Sequence, residues 1–225
     1  MWALVKKEIR EHAVVCVAAL ALHSLLLGLV VLGQSGPDAR GIAYLLRNLL
    51  PGLGTTPPLV DGGLLSMLTV VGGLYGAALG LLQTLSESIR GTYPFLLHRP
   101  VSRSRVLLCK VAAALLLYLL AMLVPFAGFA WWASRPGAYA GPFEFEMTYS
   151  GVVSIGYGFL FYLGGLVTGL SSARWYATRA AGVVAPLCAA PLMSECSLPW
   201  AIVSLFLCAL LMFWAALGTL EKRSF

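Results

Sequence analysis

The chain has 225 residues, of which 60% are hydrophobic and only 11% charged, and its formal net charge is +6. Soluble domains are about half apolar and about a quarter charged, so this balance excludes a soluble globule and points to an integral membrane protein. No basic run interleaved with aromatics lies outside the apolar stretches; the charge is a topological signal and a match to anionic inner-leaflet lipid, and nucleic acid is not an expected partner.

A bilayer core requires about 20 consecutive apolar residues per helix. Six runs serve, at 13–33, 62–85, 111–133, 150–171, 179–194 and 197–217. They are continuous and do not alternate with polar residues, as strands around a polar lumen would, so the expected fold is all-α, a single polytopic transmembrane domain over 1–225.

At the start of the chain, residues 1–12 place Trp2, Val5 and Ile9 on one helical face and most charges on the others. That pattern predicts an interfacial helix in the headgroup plane, with Lys7 and Glu11 spaced to pair at i, i+4. Run 13–33 is longer than the roughly 7–15 residues of a signal-peptide core and no clear Ala-x-Ala follows, so an uncleaved helix is expected. In the next segment, Ile42, Leu45, Leu46, Leu49 and Leu50 form an apolar stripe that predicts an amphipathic outer-loop helix over 39–50, ended by Pro51.

The second run carries Gly72, Gly76 and Gly80 on one face, with Gly73 beside them, where another backbone can approach closely. Packing inside the subunit, a subunit interface and a translocation path all fit that stripe; Gly165 and Gly169 repeat it in the fourth run. Phe143-Glu144-Phe145-Glu146-Met147 alternates and suggests a short extended stretch. Pro186 and Pro191 interrupt the fifth and shortest run, predicting a kinked or partly unwound helix. A broken helix survives in lipid only where protein or a watery cavity covers the freed backbone, which makes 179–199, with Glu195, a candidate gate.

Orientation follows from the basic residues. With the N-terminus cytoplasmic, twelve Lys and Arg (Lys6, Lys7, Arg10, Arg90, Arg99, Arg103, Arg105, Lys110, Arg174, Arg179, Lys222, Arg223) lie inside and three (Arg40, Arg47, Arg135) outside. Both termini are therefore expected in the cytoplasm, with the protein in the cell (inner) membrane.

Within the six runs the ionisable side chains of Asp, Glu, Lys, Arg and His are reduced to His23 and Arg179. Such groups cost about 2.5–3.5 kcal/mol at a helix centre, and their scarcity argues against a proton-coupled carrier. A lone His in a Leu-rich run is usually packed or bonded to a carbonyl, and no Ser sits in a Gly-x-Ser-x-Gly elbow. There is no His-Glu-x-x-His and no Walker A motif. Cys16, Cys109, Cys188, Cys196 and Cys208 show no CxxC spacing and read as packing residues, so no metal site and no catalytic site are expected. Any uphill transport would draw its energy from another chain.

That leaves the polar stretch 86–110 between the second and third runs. Glu87 can pair with Arg90 at i, i+3, the chain turns at Gly91 and Pro94, and Phe95, Leu96 and Leu97 precede Arg99, Pro100, Arg103 and Arg105. Apolar residues flanked by arginines suit docking against a partner or the inner leaflet. In order, Glu87, Gly91-Thr92, Leu96-Leu97, Pro100-Val101-Ser102-Arg103 and Lys110 resemble the pattern E-x3-G-T-x3-LL-x2-P-[VI]-S-R-x6-K that follows the second helix of ABC-2 type transporter permeases. The opening Trp2-Ala-Leu-Val-Lys-Lys-Glu-Ile-Arg-Glu11 is similar to that family's N-terminal interfacial helix, while Tyr93-Pro94 departs from its usual helix-forming continuation.

The resemblance implies a permease subunit that pairs with a second permease subunit, as homodimer or heterodimer, and binds a separate cytoplasmic ATP-binding subunit through 86–110. ATP and Mg would be held by that partner, and this chain would bind no cofactor. It implies that Glu87 and Arg90 brace the segment after which Gly91 turns, that Phe95, Leu96 and Leu97 fill a groove on the ATPase, and that Arg99 and Arg103, around Pro100, meet acidic groups there. The rival reading is a polytopic scaffold or assembly subunit, or a gradient-driven carrier, that uses the same stretch only for topology.

Overall fold

The computed structural model describes residues 2–34, 59, 62–89, 102–138, 142–171, 180–194 and 197–222. Among them the regular structure is helical: α1 (Trp2–Gln34), α2 (Gly62–Ile89), α3 (Arg103–Ala133), α4 (Met147–Leu170), α5 (Ala181–Ser194) and α6 (Leu198–Lys222). All but α5 are long and apolar enough to cross a membrane. The all-α polytopic architecture is thus the one composition requires, while the expected helix at 39–50 lies outside the described residues.

Four boundaries differ from the apolar runs by four residues or more: the start of α1, the end of α2, the start of α3 and the end of α6, which reaches Lys222 where the run stops at 217. The segment 2–12 is continuous with the first span in one 33-residue helix, about 50 Å long at ~1.5 Å per residue. A hydrocarbon core of about 30 Å leaves several of its turns outside. Helix α2 runs on to Ile89 and α3 starts at Arg103, because helical hydrogen bonding continues past the first charge when that charge finds a partner. Ser102, extended at φ −62 and ψ 143, opens α3 by accepting from Arg105 N at 3.0 Å and Val106 N at 3.2 Å. The extended stretch expected at 143–147 is a turn into α4, with Met147 N donating to Glu144 O and Thr148 N to Phe145 O, both at 3.0 Å.

Helix α4 is the centre of the bundle and packs most extensively against α2. Gly72, Gly76 and Gly80 line that contact: a Cβ on Gly76 would stand 2.6 Å from Gly158 O and 3.0 Å from Tyr162 N, and one on Gly165 would stand 2.5 Å from Ala77 O. Backbones this close gain dispersion contacts that no side chain could replace. Tyr118 of α3 seats beside Gly72, donates to Ile155 O at 2.8 Å and stacks on Tyr75 with centroids 5.7 Å apart.

Helix α1 lies along α3, and its pins answer a backbone problem. Pro125 inside α3 has no N–H, so the carbonyl of Ala121 lacks its i+4 donor. His23 Nδ1 donates to that oxygen at 3.2 Å and is fully buried. Cys16 Sγ and Tyr75 Oη both donate to Leu117 O, at 3.4 and 3.3 Å.

Helix α5 solves the same problem differently. At 14 residues it is about 21 Å long, too short for the bilayer core, and it stays helical through Pro186 and Pro191, so the expected unwinding is absent. Pro186 frees the carbonyl of Gly182, and that oxygen lies against Gly164 of α4, where a Cβ would collide with it. Protein therefore covers the freed group at Pro186. Glu195 lies outside the described residues. Helix α6 packs on α4 and turns Trp200, Phe206, Leu210 and Trp214 outward.

Candidate functional site

The start of α1, the end of α2, the start of α3 and the end of α6 gather at one end of the bundle. Lys110, on the second turn of α3, is 3% exposed although it is a lysine. Its Nζ donates to Glu8 Oε1 of α1 at 2.9 Å and to Gln83 O of α2 at 3.2 Å, and lies 2.9 Å from Glu87 Oε2 as an ion pair. An ammonium has three N–H donors, and these three acceptors match them. Glu8 and Glu87 are 4% and 3% exposed, so all three charges have left water together. Taking ions out of water costs several kcal/mol each, and here the loss is offset by mutual contact at close range.

A second cation stands at the edge. Lys7 Nζ is 3.2 Å from Glu87 Oε1 and 3.9 Å from Glu11 Oε2, its side chain still 37% exposed. Gln83 extends the network inward: its Oε1 accepts from Tyr162 Oη at 2.9 Å and its Nε2 approaches Lys110 O at 3.5 Å. Four helices therefore meet around one lysine.

Arg103, the first residue of α3, sends Nη1 to Leu220 O at 3.2 Å and Glu221 O at 2.9 Å. The last carbonyls of a helix have no partner inside it, and a guanidinium supplies donors and the sign of charge that the helix dipole favours. The N-terminal segment and the end of α6 are thus fastened to the same end of the bundle, where α2 and α3 open onto residues 90–102.

Of the residues singled out by sequence, the structure brings Glu87 and Arg103 to this end, and it places Gly72, Gly76 and Gly80 in the α2/α4 contact and Pro186 against α4. Arg90, Gly91, Phe95, Leu96, Leu97, Arg99 and Pro100 lie outside the described residues. Glu87 is engaged by Lys110 and Lys7, and its expected pairing with Arg90 falls on a residue outside the described ones. Glu8, Lys110, Gln83 and Tyr162 were not among the predicted site residues. Lys110 closes the family-like pattern, which was the available hint, but its bond to Glu8 spans 102 positions and no spacing announces it.

The side chains at this end are engaged in ion pairs and hydrogen bonds. Glu8, Glu11 and His12 each bring one potential metal-ligand atom within 4.8 Å of the others. Glu8 is held by Lys110, Glu11 faces Lys7, and two ammonium groups oppose a cation there.

The chain is a multi-pass helical membrane protein whose buried charges gather where α2 ends and α3 begins. The model of the ABC-2 family transporter protein matches residues 3–219, and the chain belongs to that family. It is a membrane permease of ABC transporters, a family of transport components that are not themselves catalytic and generally work with a cytoplasmic ATP-binding subunit. No curated protein and no solved structure gives a match.

Proposed function

We propose that the chain is the permease subunit of an ATP-driven transporter, forms the translocation path with a second permease subunit, and is coupled to a separate ATP-binding subunit through residues 87–110. Both termini face the cytoplasm, and MgATP resides in the partner. The observation that carries this reading is the ion pair between Glu87 and Lys110, the two ends of the family-like pattern, 2.9 Å apart. Helices α2 and α3 are locked together at the base of 90–102, so a push on that segment is delivered to two spans and not absorbed by splaying them.

Phe95, Leu96 and Leu97 fill an apolar groove on the ATPase, and Arg99 meets acidic groups beside it. Arg103 also fastens α6, so an experiment on docking should leave it intact. Affinity purification of the tagged full chain from its own membranes is expected to bring down a subunit with Walker A and B motifs. A Leu96→Asp, Arg99→Glu double variant is expected to lose it while remaining folded. Recovery of the ATP-binding subunit at wild-type levels with that variant rejects the docking segment, and its absence from wild-type preparations favours the scaffold reading.

A further inference from the structure

Glu87 and Lys110 flank residues 90–102 in the chain, but the third member of their buried cluster does not. Glu8 comes from α1, 102 positions from Lys110, and its Oε1 accepts from Lys110 Nζ at 2.9 Å. We propose that Glu8 is a positioning residue for coupling, tying α1 to both flanks of 90–102 so that displacement of that segment moves α1 together with α2 and α3. The proposal rests on the reading of 90–102 as the ATPase-docking segment.

Three features of the geometry support it. Closing the two flanks needs only Glu87 and Lys110; a second buried carboxylate adds desolvation that an apolar residue would avoid, so Glu8 is better explained by where it holds α1 than by stability. Next, Glu8 has one strong partner. Its Oε2 is buried with no hydrogen bond, so the carboxylate follows Lys110 and is not held in place by local donors. Finally, α1 has the means to carry a displacement onward. Val5 packs with Cys109 and Ala113, and the later rungs, Cys16 to Leu117 O and His23 to Ala121 O, join the same two helices in the same order. Chains of packed and hydrogen-bonded contacts between rigid elements can carry coupling, and this ladder is such a chain.

The test uses the full chain in complex with its ATP-binding subunit in lipid nanodiscs. Spin labels are carried on genetically encoded unnatural amino acids at the exposed positions Val14 of α1 and Leu210 of α6, so that Cys16 and Cys109 keep their contacts. In the wild type, ATP is expected to change the distance between the labels. Glu8→Gln is expected to abolish that change and to lower the kcat of ATP hydrolysis about tenfold, leaving the KM for ATP, the yield of complex and Tm near wild type. The conservative variant Glu8→Asp, which keeps a carboxylate for Lys110 Nζ, is expected to retain the distance change.

A Glu8→Gln complex in which α1 moves as in the wild type overturns the role of Glu8 alone. So does a variant whose Tm and coupling fall together, when Glu8→Asp recovers Tm without movement, because Glu8 is then merely structural. A wild-type complex without any ATP-dependent change overturns this role, whereas the docking reading fails separately, when the Leu96→Asp, Arg99→Glu variant recovers the ATP-binding subunit at wild-type levels.

Discussion

Between Gly72 and Gly80, α2 approaches α4 with no side chain of its own in the way, so that a Cβ on Gly76 would stand 2.6 Å from Gly158 O. One turn further on, from Gln83 to Glu87, the same helix meets its neighbours through an amide, a carboxylate and two ammonium groups. The first contact is non-directional and has no slack; it fixes how near two helices lie. The second is directional and made of replaceable partners; it fixes which helices are fastened to one another. A helix can be rigid in its membrane half and coupled at its end because these two means of attachment occupy different turns.

The largest expected effect comes from the ionic end. Lys110→Ala leaves Glu8 and Glu87 buried and facing each other, which should destabilise the protein by about 3–5 kcal/mol. Thermal unfolding in detergent measures it. Replacing the whole cluster, Glu8→Gln, Glu87→Gln and Lys110→Met, should recover most of that loss, since no uncompensated charge remains. If the triple variant is as unstable as Lys110→Ala, packing and not charge holds this end, and the contrast with the glycine seam collapses.

At the seam the expected effect is smaller and cannot be rescued by neutralisation. Gly76→Val forces α2 away from Gly158 and Tyr162 and should cost about 1–3 kcal/mol, or more if the backbone cannot shift. Gly128→Ala in α3 is the control, because nothing lies within 4 Å of its Cβ position. It should be neutral or gain up to about 1 kcal/mol from helix propensity. Equal losses at Gly76 and Gly128 would mean that glycine serves these helices for flexibility and not for approach.

Much of this was legible in the sequence, and what was not has a common cause. Run length and continuity carry the all-α membrane architecture, because a backbone in lipid has few solutions. The four-residue glycine spacing names a close-approach face, since spacing along a helix is a local property. Partners are not local: nothing in the order of residues pairs Lys110 with Glu8, or His23 with the carbonyl that Pro125 leaves free. The ends of α2 and α3 were misplaced for a related reason. Apolar-run counting stops at a charge, whereas the helix continues when Glu87 and Lys110 neutralise each other.

His23 offers an intermediate effect that tests the same idea inside the span. His23→Leu removes the donor to Ala121 O and should cost about 1–2 kcal/mol, the penalty for a buried carbonyl left without a partner. Combined with Pro125→Ala, which returns a backbone N–H to the helix, the loss should largely disappear. A double variant whose losses simply add would show that His23 contributes by packing alone.

Lys7→Ala is expected to have the smallest effect and sharpens the comparison most finely, because Lys7 and Lys110 share the carboxylate of Glu87 and differ chiefly in exposure. Lys7 is partly solvated, so its pair is screened by water and salt and should contribute less than about 1 kcal/mol. Raising the ionic strength should shrink that contribution further while leaving the cost of Lys110→Ala nearly unchanged, since buried pairs are little screened. Unfolding curves of the two variants at low and high salt provide the measurement. If Lys7→Ala costs as much as Lys110→Ala, Glu87 is the hub of the cluster and α1 is held through two cations of equal weight; if the order is as expected, the hub is the buried ammonium, and α1 is fastened chiefly by Glu8.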